Sequence, residues 1–223
     1  MKISSLTGKN FLFLLTVVLL FTSCNKTRKE YYPDGTLKSE LTYRNGNLDG
    51  LQTWYHLNSN KQMECTYANG LIEGKLTRWN FKGLLEREEY YSHNLRHGKS
   101  LAYFENGSVY TEENYSNDTL NGHYVEYHPN GVVKVSGNFK NGLYQGKWEY
   151  FDDKGIVVGS GDFDSGAGVL YGYYWNGRLK REVPYKLNEK EGKEIWYRED
   201  GTVEREVFFK KGKVIDGGEG LGD

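Results

Sequence analysis

The sequence predicts an all-β fold: an array of about eight β-hairpin repeats forming an elongated, twisted antiparallel meander. Three residue columns carry that prediction. Glycine or serine recurs at Gly35, Ser59, Gly83, Gly107, Gly131, Gly155, Gly177 and Gly201, a 24-residue step broken once by a 22-residue step between Gly155 and Gly177. Eight positions after each stands an aromatic: Tyr43, Tyr67, Tyr91, Tyr115, Phe139, Phe163, Tyr185 and Phe209. Eleven positions after each stands only Gly, Asn or Asp: Gly46, Gly70, Asn94, Asp118, Gly142, Gly166, Asn188 and Gly212. Self-similarity at periods of roughly 20 to 50 residues marks solenoids, propellers and stacked arrays. Such arrays offer extended surfaces for binding or scaffolding rather than one deep catalytic cleft.

Composition agrees. The 223 residues hold 37% hydrophobic and 15% aromatic side chains, with 19 Tyr, 28 Gly and 3 Pro. So many aromatics argue against a disordered chain, and so few aliphatics against a large helical core. A formal net charge of -1 gives no electrostatic footprint for nucleic acid.

The elements follow in order. Lys2 and Lys9 precede an apolar run, Phe11 to Phe21, too short for a typical membrane span. It ends in Phe21-Thr22-Ser23-Cys24, which resembles a bacterial lipobox. That resemblance implies a lipoprotein signal peptide over residues 1–23, cleavage before Cys24, and a membrane anchor of lipid on Cys24. Asn25 just after it resembles outer-membrane sorting, which places the chain in the cell envelope facing the periplasm. Residues 24–29 read as a polar tether, 30–217 as the repeat domain and 218–223 as a Gly-rich tail. Cys65 is then the one remaining cysteine, and its column, shared with Leu41, Val183 and Val207, makes it a small core hydrophobe.

Within a repeat, positions two, four, six and eight after the first glycine share one strand face by alternation. Apolar residues at both ends of that series, such as Leu37 and Tyr43, mark that face as buried. The Gly/Asn/Asp column enters the left-handed region at least cost, so Gly46, Gly70, Gly142, Gly166 and Gly212 read as structural turn residues. Four positions further on glycine usually returns, and a second strand runs to another aromatic column, Tyr55, Trp79, Tyr103, Tyr127, Phe151, Tyr173 and Tyr197. One hairpin is marginal alone, and stacking hairpins edge to edge supplies the cross-strand pairs that stabilise it. In the sixth repeat, Phe163-Asp-Ser-Gly166-Ala-Gly168 is two residues short, which predicts a shortened turn that bends or re-registers the sheet.

The stretches Tyr31-Tyr-Pro-Asp-Gly35 and Phe139-Lys-Asn-Gly-Leu-Tyr-Gln-Gly146-Lys-Trp-Glu-Tyr150 resemble variants of the MORN repeat (membrane occupation and recognition nexus). The resemblance covers roughly residues 30 to 217 and implies a stack of β-hairpins. Related bacterial chains carry the label YwqK-family antitoxin, so it also implies a toxin as an alternative partner; an export signal departs from a cytoplasmic antitoxin. Arg44-Asn45 stands where the classical motif has an extra Gly, so the classical lipid association does not carry over.

No chemistry-bearing motif emerges. There is no Gly-x-Ser-x-Gly, phosphate loop or His-Glu-x-x-His, and adjacent carboxylates such as Glu88-Glu89 point to opposite faces. His93 and His97 straddle a turn without a third ligand, and Asp162 and Asp164 flank the core position Phe163, so neither metal nor cofactor is expected. The off-column aromatics Trp54, Trp148, Tyr150, Tyr174, Trp175 and Trp196 form the candidate binding surface, because exposed Trp and Tyr are preferred contact residues. The expected function is a non-enzymatic, lipid-anchored envelope scaffold that docks another protein. The alternatives are an antitoxin-like role and a glycan- or peptidoglycan-binding module.

Overall fold

A computed structural model of the chain describes residues 25–217; Cys24, the segment before it and the 218–223 tail lie outside the described residues. Every regular element described is a strand. In chain order these are β1 (Lys26–Tyr31), β2 (Leu37–Arg44), β3 (Asn47–Tyr55), β4 (Lys61–Ala68), β5 (Leu71–Trp79), β6 (Leu85–Ser92), β7 (Leu95–Tyr103), β8 (Val109–Ser116), β9 (Thr119–Leu120), β10 (Gly122–Tyr127), β11 (Val133–Lys140), β12 (Leu143–Phe151), β13 (Val157–Asp164), β14 (Ala167–Tyr173), β15 (Leu179–Lys186), β16 (Glu189–Lys190), β17 (Gly192–Tyr197), β18 (Val203–Lys210) and β19 (Lys213–Gly217). Strands pair antiparallel in chain order, with β8 pairing both β9 and β10 and β15 both β16 and β17, and no pairing joins β1 to β19, so the sheet is one open layer. The stretch expected to be a polar tether is instead the first edge strand: Lys26 pairs with Tyr43 and Glu30 with Ser39.

Two turn types alternate along the edges. At the Gly/Asn/Asp column, two successive residues have positive φ, as at Asn45 (51°) and Gly46 (85°) or Asn141 (50°) and Gly142 (79°). That is the type I′ hairpin turn, whose twist matches the strands it joins. Gly70, Gly166 and Gly212 fill the same second position, with φ of 84°, 77° and 72°. At the opposite edge the Gly35 N–H donates to the Tyr32 carbonyl at 2.9 Å, and a bulge between Glu30 and Tyr31 follows. Consecutive I′ turns are tied together: the Gly70 N–H donates to Leu48 O at 2.7 Å and the Gly142 N–H to Leu120 O at 2.8 Å. Each stacked turn therefore gives its free N–H a partner in the preceding repeat.

A second bulge explains the remaining glycine column. Leu41 pairs with Gln52 and Tyr43 with Leu48, so β3 carries two residues more than β2 between those pairs. Gly50 lies in that bulge at φ 94° and pairs with Tyr67 on β4. In the sixth repeat the ladder runs unbroken from Gly159↔Gly172 to Asp164↔Ala167. The two missing residues are thus the bulge, not the turn: Ser165 and Gly166 keep positive φ of 50° and 77°. The expected shortening of the turn is corrected accordingly, and the straight ladder keeps side-chain alternation intact.

The bulges also reassign the faces. The bulge at each Gly35-type turn sets two successive residues on one face, so position two crosses to the other. Val109 pairs with Tyr103, in the second aromatic column, instead of sharing a face with Tyr115. Positions four, six and eight remain together on what we term the aromatic face. With only one layer, burial comes from lateral neighbours. The densest cluster gathers Val135, Trp148 and Phe163, with Tyr124, Phe139, Tyr144, Tyr150, Leu170 and Tyr185 packed around them.

Candidate binding surface

One face is a polar ladder. Glu40, Glu64, Glu88, Glu112, Glu182 and Glu206 stand five positions after the repeat glycine, with Ser136 and Ser160 in the fifth and sixth repeats. The second aromatic column donates to this column across the sheet. Tyr55 reaches Glu40 at 3.0 Å, Tyr103 reaches Glu88 at 2.9 Å and Tyr127 reaches Glu112 at 3.0 Å. Burial, and then the Glu88 hydrogen bond, push the Tyr103 hydroxyl up to about 12. Lysines complete the ladder: Lys29 pairs with Glu40 at 2.7 Å and Lys99 with Glu112 at 2.6 Å. Where the fifth repeat loses its acid at Ser136, it also loses the hydroxyl, because the aromatic is Phe151. Glu64, facing Trp79, pairs instead with Lys61 at 2.5 Å, and that ammonium lies 5.6 Å from the Trp79 ring. These internal partners account for the charges of this face.

The aromatic face differs along its length. In the third and fourth repeats it is ionic. Buried Glu89 lies 3.7 Å from both Arg78 and Arg87, and Arg96 stacks 4.0 Å above Tyr115 while holding Asp118 at 3.1 Å. In the fifth and sixth repeats it is aromatic and glycine-rich. In the seventh and eighth it is cationic: the Trp196 ring lies between the guanidiniums of Arg181 (4.9 Å) and Arg205 (4.5 Å). Beneath them Glu194, 3% exposed, is held by Lys190 at 2.6 Å and Arg181 at 3.9 Å.

The structure separates the predicted surface residues. Trp148 is not on a surface: it is 2% exposed, with ring centroids of Tyr144, Phe139 and Tyr124 at 4.6, 5.0 and 5.8 Å. The physical reason is a small–large–small arrangement. Gly137 and Gly161 flank the indole, and a Cβ on Gly137 would lie 2.1 Å from its ring. Tyr150 is half-buried beside that cluster, and burial raises its hydroxyl pKa. Trp54, half-buried, pairs with Ser39 and Met63 near the other end. Tyr174 is a staple between repeats, donating to the Tyr197 carbonyl at 2.6 Å, as Tyr32 does to Tyr55 O at 2.8 Å. Trp175, at the adjoining turn tip, is 80% exposed. Of these six, Trp196 alone has its ring between two guanidiniums on the flat of the sheet. Its arginine partners carried a sequence signal, since Arg181 and Arg205 repeat at 24 residues.

Five segments of the chain, residues 25–45, 48–69, 96–117, 120–141 and 190–211, match the family described as MORN repeat variant. These segments are similar to MORN-variant repeats. Segment 48–69 lies within strands β3 and β4, so the MORN-variant unit is centred on the Gly35-type turn. The MORN-variant matches leave residues 70–95 and 142–189 uncovered. The second stretch holds Trp148, Gly161, Gly172 and the hairpin whose ladder runs unbroken. No curated protein matches the chain.

Proposed function

We propose that this protein is a non-enzymatic scaffold of the cell envelope, tethered by lipid on Cys24, that docks another protein on its aromatic face. The observation that carries the reading is Trp196 between Arg181 and Arg205 on an open, single-layer sheet. Trp and Arg are enriched at the energetic centres of protein interfaces. The opposite face spends its charges on its own Glu–Lys–Tyr ladder, so it offers a partner less. MORN-type repeats as scaffolds, and the lipobox-like end of the leader, support the same reading.

A photo-cross-linking amino acid at Arg205 tests docking directly, with the same group at Lys147 on the opposite face as control. One cross-linked protein species from native membranes at Arg205, absent at Lys147, supports the reading; none at either position, or equal yields at both, counts against it. Mass spectrometry of the membrane-extracted chain tests the tether, with Cys24→Ala as control. Acylated N-terminal Cys24 is expected, and an unmodified or uncleaved chain would remove the anchor.

A glycan-binding reading rests on exposed Trp175. Trp148 is enclosed and Trp196 is flanked by guanidiniums on both sides, so neither offers the open ring that a sugar needs.

A further inference from the structure

Beside Trp196 the aromatic face opens into a depression of about 310 Å³ lined by Val158, Gly172, Tyr173, Lys180, Arg181 and Trp196. Its floor crosses strands β13 to β15, where Gly159 pairs with Gly172 and Gly172 with Arg181. Its wall carries two cations and no carboxylate. The larger depression around Arg78, Arg87 and Arg96 is different: Glu86 and Glu89 stand in its own wall, and Asp118 holds Arg96 at 3.1 Å.

The floor contains a glycine that the fold does not require. At the strand glycines Gly137, Gly159, Gly161 and Gly168 a Cβ would come within 2.1 to 3.0 Å of Trp148, the Tyr171 carbonyl, Phe163 or the Asp162 carbonyl. At Gly172 it would meet nothing nearer than Arg181 Cβ at 3.6 Å, an ordinary contact. Gly172 is also outside the left-handed region, so neither crowding nor backbone shape calls for it. The register shift between Gly172 and Tyr173 does not call for glycine either, since Trp54, Tyr150 and Trp196 stand at the same shift in other repeats; a strand glycine without such a cause fits a site that another group approaches closely. The cations beside it have little else to bind. Lys180 is exposed, and among the described residues its ammonium rests over the Tyr174 ring at 5.4 Å with no ion pair. Arg181 stacks on Trp196 and stands 3.9 Å from Glu194, a carboxylate already held by Lys190 at 2.6 Å, so the Arg181 fork keeps N–H donors to offer.

We propose that this depression binds an acidic segment of the partner protein, its carboxylates meeting Lys180 and Arg181 while a flat side chain lies on Gly172 along the edge of Trp196. A planar guanidinium suits a carboxylate bidentately, and the positive edge of an indole packs on the flat of a second ring. The inference rests on the docking reading above and narrows it to one place and one chemistry.

The test uses the full-length protein in detergent and a fluorescein-labelled peptide of alternating glutamate and tyrosine, read by anisotropy. Its counterpart has glutamine for glutamate. Saturable binding of the acidic peptide alone is expected. Lys180→Glu and Gly172→Val should each weaken it at least tenfold, and Lys147→Glu should leave it unchanged. Gly172→Ala, whose Cβ has room, guards against misfolding: it should keep the melting temperature and still weaken binding several-fold. Equal binding of both peptides, or equal loss in Lys147→Glu, would overturn the proposal. So would anionic vesicles or a glucuronate polymer binding in a Gly172-dependent way while the peptide does not, since the ligand would then not be protein. If the peptide fails but cross-linking at Arg205 still captures a partner, the docking reading stands and this inference alone falls.

Discussion

Replacing Trp148 with alanine should cost about 4 kcal/mol, within the roughly 3–5 kcal/mol seen for buried Phe or Trp to Ala. The side chain is 2% exposed, and three aromatic centroids lie within 5.8 Å of its ring. The flanking residues Gly137 and Gly161 have no side chains to collapse into the void. Trp148→Phe should behave quite differently. It forfeits part of the packing but also removes an indole N–H that is buried without a hydrogen-bond partner. Such an orphan donor costs about 1–3 kcal/mol, so the net change to Phe should stay within about 1 kcal/mol. For a chain of this size about 4 kcal/mol corresponds to a fall in Tm of roughly 8–16 °C. A repeat array need not unfold as one unit, so the loss should be local. Urea unfolding and hydrogen exchange read it: amides of β11 to β14 should lose protection first, with those of β3 to β6 little changed. An alanine variant costing under about 0.5 kcal/mol, the usual cost at a surface position, would show that Trp148 is exposed and refute the packing argument.

Four further outcomes are expected. Gly161→Ala should destabilise by about 1–3 kcal/mol in thermal unfolding, because its Cβ would lie 2.7 Å from Phe163 and 2.8 Å from the Val169 carbonyl. Asn188→Ala should cost about 1–3 kcal/mol in the same assay, since Asn188 accepts from the Tyr144 N–H at 2.8 Å and donates to the Gly142 carbonyl at 2.8 Å across the straight sixth repeat. Tyr103 is raised to about 12 by burial and then by its Glu88 hydrogen bond. A raised folded pKa stabilises fully below the unfolded value of about 10 and fades as pH climbs to the folded one. Melting temperature should therefore fall between pH 10 and about 12, and fall less in Tyr103→Phe. Burial lifts the Cys65 thiol to about 11, so a thiol reagent at neutral pH should label it only after denaturant is added; immediate labelling would contradict the burial.

The repeat was legible because its causes are local. A type I′ turn needs two successive residues at positive φ, so the Gly/Asn/Asp column follows from turn stereochemistry and reads directly from sequence. Side-chain faces were less legible. Alternation assumes one residue per step, and the bulge at each Gly35-type turn breaks it, which is why Val109 lies with Tyr103 and not with Tyr115. Trp148 looked like an exposed off-column aromatic because its column elsewhere is mixed: Gln52, Leu76, Ser100, Tyr124, Leu170 and Glu194. A signal did exist, since glycine replaces larger residues at positions 137 and 161 on both neighbouring strands. It becomes readable only when the register is known.

By itself the sequence determined the period, the strand–turn alternation, the turn residues and the all-β class, because each depends on conformations within a few neighbouring residues. Only the tertiary structure decided which tryptophan is core and which is surface. It also showed that the short repeat lacks a bulge and that Gly172 floors an open depression beside Lys180 and Arg181. Those facts depend on lateral register between neighbouring strands, as in the pairs Trp148 with Gly161 and Gly172 with Arg181, and register places two residues on one face or on opposite faces according to how many bulges lie between them.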